Sequence, residues 1–144
     1  MSRVTVLSIS KEVLNPFEHL AGQATDELCG VLVGRQGHFR GVVDEIRLIK
    51  NIHATSRKAF LMDPQDFLTA IEDTSLYTAT PEHQFLGIIH SHPVDYAFPS
   101  ITDWAAAEGH GLYFGPYLIY SPAYETLNGF FWDGKQFLRI DVHT

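Results

Sequence analysis

The chain has 144 residues, 45% hydrophobic and 19% charged, which suits one globular domain with a real core and excludes a disordered segment. A formal charge of −7 with only ten lysines and arginines excludes a phosphate-tracking surface, so no nucleic-acid partner is expected. A single cysteine, Cys29, excludes both a disulfide framework and a zinc site built from cysteine pairs.

In chain order, the start MSRVTVLSIS lacks an apolar segment with a cleavage site, so no signal peptide is expected. No apolar run approaches the roughly 20 residues of a membrane span, and the expected setting is cytoplasmic. Residues 4–9 alternate as a strand. Ser10 is placed to cap a helix whose apolar positions are Val13, Leu14, Phe17 and Leu20, with Gly22 near its end. Pro16 predicts that this helix begins late or is kinked. Residues 27–34, ELCGVLVG, form a short apolar run closed by glycine, a buried strand. Residues 38–50 follow as a long bent strand, with Gly37 and Gly41 marking a turn and a bulge.

A polar loop from Asn51 leads to FLMDPQDFLTAIEDTSLY, residues 60–77. There Asp63 caps, Pro64 takes the first helical position, and Phe67, Leu68 and Ile71 make an apolar face. Residues 84–92 are the next strand, and a short helix from Ser100 is stopped by Gly109 and Gly111. Three strands end the chain (PYLIYS, TLNGFFW and KQFLRIDV), the last two joined at Asp133-Gly134, a strong hairpin signal. There are no repeats or linkers. The fold class is α/β of the α+β type: one domain over 1–144, a mixed, mostly antiparallel sheet with about three helices packed on it.

The stretch HSHPVDYAFPSITD carries chemistry. Side chains two apart on a strand share a face, so His90 and His92 project together, as two imidazoles binding one ion must. Asp103, one turn into the following helix, returns a carboxylate towards the strand end. Two histidines and a carboxylate leave a fourth tetrahedral position for water, the pattern of catalytic zinc sites. Without a thiolate, zinc is expected first and iron(II) or another divalent ion second. The plainer readings compete. His-x-His alone is more often structural, and Ser100-x-x-Asp103 is a routine capping box. The two readings are compatible, because a cap can hold the helix while Asp103 faces a metal.

His90-x-His92, seven residues, Ser100, two residues and Asp103 resembles the JAMM signature of the MPN+ (JAB-domain) metalloproteases. Upstream, Glu27-Leu28-Cys29-Gly30-Val31-Leu32-Val33-Gly34 resembles that family's E-x-C-G-x-L-x-G segment. FLMDPQDF is similar to the opening of its second helix, and the loop starting at Asn51 lies where the family has one. The resemblance spans most of the chain. It implies a single MPN/JAB-like domain with a curved sheet, one zinc ion held by His90, His92 and Asp103, Glu27 as general acid/base, and Ser100 stabilising the oxyanion. The implied reaction is hydrolysis of a peptide or isopeptide bond after the Gly-Gly tail of a ubiquitin-like or sulfur-carrier protein, as in stand-alone prokaryotic members.

Chemistry supports that assignment, because zinc makes hydroxide available near pH 7 and a nearby carboxylate can shuttle its proton. A non-catalytic MPN-type scaffold, or a peptidase acting on unrelated peptides, is the alternative. A nucleoside deaminase is excluded by the lone cysteine. Cys29, inside an apolar run, is read as a buried hydrophobe and not a nucleophile. His19, His38, His53, His83, His110 and His143 lack ligand spacing and are assigned nothing. Tyr96 and Phe98 either line a peptide groove or pack beneath their loop. Monomer and homodimer both stay open.

Overall fold

The computed structural model describes residues 3–74, 83–109 and 115–144. Ten elements follow in order: β1 (Val6–Ile9), α1 (Lys11–Gln23), β2 (Cys29–Gln36), β3 (Arg40–Ile49), α2 (Pro64–Ile71), β4 (Gln84–Ser91), α3 (Ile101–Gly109), β5 (Gly115–Ser121), β6 (Thr126–Trp132) and β7 (Phe137–His143). The strands run β1-β3-β2-β4-β5-β6-β7 and close, β7 returning to β1. Four pairings are antiparallel and three, β1–β3, β1–β7 and β4–β5, are parallel. The expected mixed, mostly antiparallel sheet is therefore present, and where a curved sheet was expected it curves far enough to close into a barrel. Among the described residues, no helix is long and apolar enough to cross a membrane.

Strand alternation divides the core between the two faces of the sheet. Leu32, Ile89 and Leu118 pack with Leu14, Phe17 and Ala21 of α1. Val31, Val33, Ile88, Tyr117 and Ile119 pack with Phe67 and Ile71 of α2 and Ala107 of α3. Both faces are covered, so β2, β4 and β5 read as unbroken apolar runs instead of alternating ones.

Local signals set most boundaries. The Ser10 hydroxyl accepts from the Val13 N–H, capping α1. The helix is continuous through Pro16, so it does not begin late. Pro16 lies on the exposed side, where water can satisfy the Glu12 carbonyl that proline leaves without a donor. Asp63 caps α2 through the Gln65 and Asp66 N–H groups, with Pro64 first in the helix. Phe67 and Ile71 are buried as expected, but Leu68 is 48% exposed and lies off the apolar face. Residues 75–77, His110 and Gly111 lie outside the described residues.

The bulge expected at Gly41 is elsewhere. The β2–β3 register shifts between Val33 and Gly34, leaving Asp44 of β3 unmatched. A Cβ on Gly34 would lie 1.9 Å from the Val42 carbonyl oxygen, so glycine permits this close approach. Gly41 instead makes room for the Leu7 side chain. The final hairpin is as expected, with Gly134 at φ 96° and Asp133 accepting from the Lys135 and Gln136 N–H groups.

Candidate metal centre

The site is assembled by register between distant segments. Cys29 of β2 lies opposite His90 of β4. One residue further on, Ser91 donates its N–H to the Leu28 carbonyl, and its hydroxyl accepts from the Leu28 N–H, both at 2.9 Å. This continuation brings Glu27 across from His92, whose own N–H is held by the Tyr120 carbonyl of β5. After β4 the chain leaves the sheet and turns into α3, which returns Asp103. The side chains of Glu27, His90, His92 and Asp103 are all buried, and one ligand atom from each lies within 4.8 Å of the others.

His90 and His92 face each other through Nε2 at 3.1 Å. Asp103 Oδ2 lies 3.2 Å from His90 Nε2 and 3.0 Å from His92 Nε2. The His92 Nδ1 is 2.7 Å from the Tyr96 carbonyl. A carbonyl only accepts, so Nδ1 carries a proton and Nε2 is left as the ligand atom of a neutral ring. Phe60 stacks on the His90 ring with centroids 4.4 Å apart, fixing its orientation from the other side. Asp103 and Ser100 form a reciprocal capping box. Ser100 N–H donates to Asp103 Oδ2 at 2.9 Å, and Asp103 N–H donates to Ser100 Oγ at 3.0 Å. The cap is thus present as expected, and its carboxylate oxygen is the same one that faces the two histidines.

Four buried ionisable groups perturb one another. Burial pushes the Glu27 carboxyl from 4.5 up to about 8; the His92 charge opposes that rise and the Asp103 charge adds to it. Burial alone would lower His92, but the hydrogen bond and charge of Asp103, the Tyr96 carbonyl and Glu27 raise it to about 9. His90, the most deeply buried, is lowered chiefly by desolvation and stays neutral. Burial works against ionised Asp103 too, yet the histidines hold it well below the usual carboxylate range. Without a metal, the centre is an imidazolium–carboxylate pair beside a neutral carboxylic acid.

This donor set fits a metal ion. Two ring nitrogens and a carboxylate oxygen are mutually 3.0–3.2 Å apart. Ligands about 2.0–2.1 Å from a tetrahedral zinc lie roughly 3.3 Å apart, so the trio is nearly pre-formed. Glu27 Oε1 is buried without a hydrogen-bond partner among the described residues, a costly state unless something enters the cleft beside it. The cleft itself has a volume of about 610 Å³, and Glu27, His92 and Ser100 open onto it.

Two residues that support the site carry no motif signal. Asn51 donates its amide to the Glu27 and Ala59 carbonyls at 2.9 and 3.1 Å, and accepts from the His53 and Leu61 N–H groups at 3.0 Å. All four of its hydrogen-bonding positions hold one loop against Glu27. Ser91, between the two histidines, clamps the residue after Glu27; its signal is only that it is polar within a strand buried on both faces. Cys29 is inert as expected, with its thiol bonded to the Ile49 carbonyl and pushed up to about 12 by burial and by the Glu27 charge. Tyr96 stacks on Tyr124 and Phe98 packs edge-on to Phe130, but both rings stay half exposed and neither lines the cleft. Pro93, Val94, Pro99 and Ile101 line the cleft instead. None of His19, His38, His53, His83 and His143 belongs to the cluster.

A model of the prokaryotic homologues of the JAB domain matches residues 13–133. No curated protein sequence matches significantly. Among solved structures, the chain is similar to a protein from Desulfitobacterium hafniense determined in solution, with 27% identity, a TM-score of 0.73, and coverage of 94% of this chain and 92% of that one. It shares its fold with a JAB1/MPN domain protein from Archaeoglobus fulgidus, with 18% identity, a TM-score of 0.55, and coverage of 95% and 99%. The family match spans every member of the buried cluster, and the chain belongs to the prokaryotic JAB-domain family.

Proposed function

We propose that this protein is a zinc-dependent hydrolase that cleaves the peptide or isopeptide bond following the Gly-Gly tail of a ubiquitin-like or sulfur-carrier protein. The observation that carries the reading is the buried quartet of Glu27, His90, His92 and Asp103, of which Glu27 and His92 open onto one cleft. His90, His92 and Asp103 would hold the ion, which when bound acidifies water and polarises a carbonyl. Glu27, whose ionised form a bound cation would favour over the neutral acid of the metal-free centre, takes a proton from the attacking water and returns it to the leaving nitrogen as the C–N bond breaks. The Ser100 hydroxyl accepts from the Asp103 N–H, so its own hydrogen is free to donate to the oxyanion that develops on the glycine carbonyl. The exposed apolar rim of Val94 and Ile101, 82% and 90% accessible, favours a protein substrate over a small polar one.

Purified protein is expected to bind close to one zinc per chain and to cleave a carrier fused through its Gly-Gly tail. Glu27→Ala should retain the metal and lose turnover by about 10²–10⁴-fold. His92→Ala should lose both. Metal analysis beside mass-spectrometric detection of the cut checks this, and a fully active Glu27→Ala protein would refute the mechanism. Zinc-free wild-type protein with no cleavage would leave a scaffold role.

A further inference from the structure

Two cations stand in the cleft without partners. Arg57 and Lys58 line it together with Glu27, His92 and Ser100. Three basic side chains elsewhere are engaged: Arg35 with Asp44, Arg47 with Glu45 and Asp73, and Arg139 with Asn128 while lying over Phe98 and Phe130. Arg57 and Lys58 are exposed, and neither side chain has an ion pair or hydrogen bond among the described residues. Of the ten lysines and arginines of the chain, Arg57 and Lys58 are the two that line this cleft among the described residues.

Their position relative to Glu27 is fixed by the backbone. The Glu27 N–H donates to the Ser56 carbonyl at 2.7 Å, and a turn is closed by the Lys58 N–H to the Thr55 carbonyl at 3.0 Å. The Asn51 amide ties the same loop to the Glu27 carbonyl. Arg57 and Lys58 therefore follow directly from the residue bonded to Glu27. The remaining acid of the cleft, Asp95, turns its Oδ1 to its own neighbour, the Tyr96 N–H.

We infer that Arg57 and Lys58 form an anion subsite on the leaving-group side, which binds the α-carboxylate of a C-terminal amino acid released by hydrolysis. The inference rests on the proposed hydrolysis. Glu27 delivers its proton to the leaving nitrogen, so whatever flanks Glu27 flanks the substituents of that nitrogen. An α-amino acid carries its carboxylate one carbon from the nitrogen, within reach of side chains beside Glu27. A lysine side chain of a target protein carries none there. Guanidinium and ammonium groups are the donors that carboxylates bind best. The preferred reaction adds water across the bond after the Gly-Gly tail, its hydroxyl going to the glycine carbonyl carbon and its proton to the amine of one free amino acid.

The test uses the zinc-loaded full chain and a carrier ending in Gly-Gly-Ala, made as the free acid and as the C-terminal carboxamide. The acid should show roughly tenfold higher kcat/KM, a difference of about 1.4 kcal/mol. That ratio should shrink in about 0.5 M salt, which screens exposed charges. Arg57→Ala with Lys58→Ala should bring the ratio to about one, whereas Arg57→Lys should largely keep it. Independently of turnover, N-acetyl-Gly-Gly-Ala as acid and as carboxamide is titrated while the amide resonances of residues 56–58 are followed. The acid should bind about tenfold tighter to the wild type only. Equal handling of acid and carboxamide by the wild type, or a ratio surviving the double substitution, overturns the subsite while leaving the hydrolase intact. If neither carrier is cut, the proposed function fails and the titration alone decides the subsite.

Discussion

At the residue scale, the protonation state of the quartet decides how a metal would enter. His92 is raised from 6.5 to about 9 by Asp103, so at neutral pH the metal-free ring carries a proton that an ion must displace. Metal affinity should therefore rise by about tenfold per pH unit between roughly 6.5 and 9, as competitive chelator titrations would report. The same shifts govern the stability of the chelator-stripped protein. A group that holds its proton more tightly when folded stabilises below its unfolded value, and that stability is lost as pH rises through the folded value. For His92 the window is 6.5 to about 9, and for Glu27 it is 4.5 to about 8. Asp103, shifted downward, contributes above its unfolded value and is lost only in strong acid. His90, lowered by burial, acts the other way below 6.5, so the metal-free melting temperature should fall by roughly 5 °C between about pH 6.5 and 9, and calorimetry should find a shallower slope with zinc bound. A melting temperature that rises over that range would contradict these protonation states.

At the element scale, the site depends on how three connections are tied down. The loop after β3 is bound to Glu27 by Asn51 and by the Ser56 carbonyl. The loop after β4 is pinned by Ser121 Oγ to the Asp95 carbonyl and by the buried Asn128 amide to the Ala97 carbonyl. α3 begins with the Ser100–Asp103 box, which sets the angle of the carboxylate. Apart from the Ser56 carbonyl, each anchor is a polar side chain satisfying backbone groups that have no ladder partner, which is why such residues are costly to remove. Asn51→Ala leaves the Glu27 and Ala59 carbonyls and the His53 and Leu61 N–H groups without their partner. It should cost about 2–3 kcal/mol by urea denaturation. Amide hydrogen exchange should speed up at His53 and Leu61 before it does in β5 or β6, because local opening precedes global unfolding.

At the scale of the whole molecule, closure of the sheet brings β1 beside β7 and places β4, the strand of the histidines, between β2 and β5. β5 supports the end of β4 through His90 opposite Ile119 and the His92 N–H to the Tyr120 carbonyl. That contact is close. A Cβ on Gly87 would sit 2.2 Å from the Pro116 carbonyl oxygen, which is backbone and cannot swing aside. Gly87→Ala should therefore destabilise by about 3 kcal/mol and weaken metal uptake together with stability, although Gly87 touches no ligand. Denaturation paired with metal analysis checks this, and unchanged stability would mean that β4 and β5 can separate without cost.

The sequence by itself determined what depends on near neighbours. Alternation aligned His90 with His92, Ser100 and Asp103 announced a cap, and Asp63-Pro64 and Asp133-Gly134 marked a helix start and a hairpin, because these signals act over a few residues. Glu27 was legible only through its family pattern, since one glutamate before an apolar strand has no local consequence. Tertiary structure decided the rest. Sheet register, set by packing on both faces, carried Glu27 some sixty residues in sequence to face His92, moved the bulge from Gly41 to the Gly34 contact with β3, and closed the sheet. Asn51, Ser91, Arg57 and Lys58 took their places from backbone partners that come together only on folding. The raised carboxyl of Glu27 and the charged His92 likewise arise from burial among one another, and burial belongs to the folded molecule.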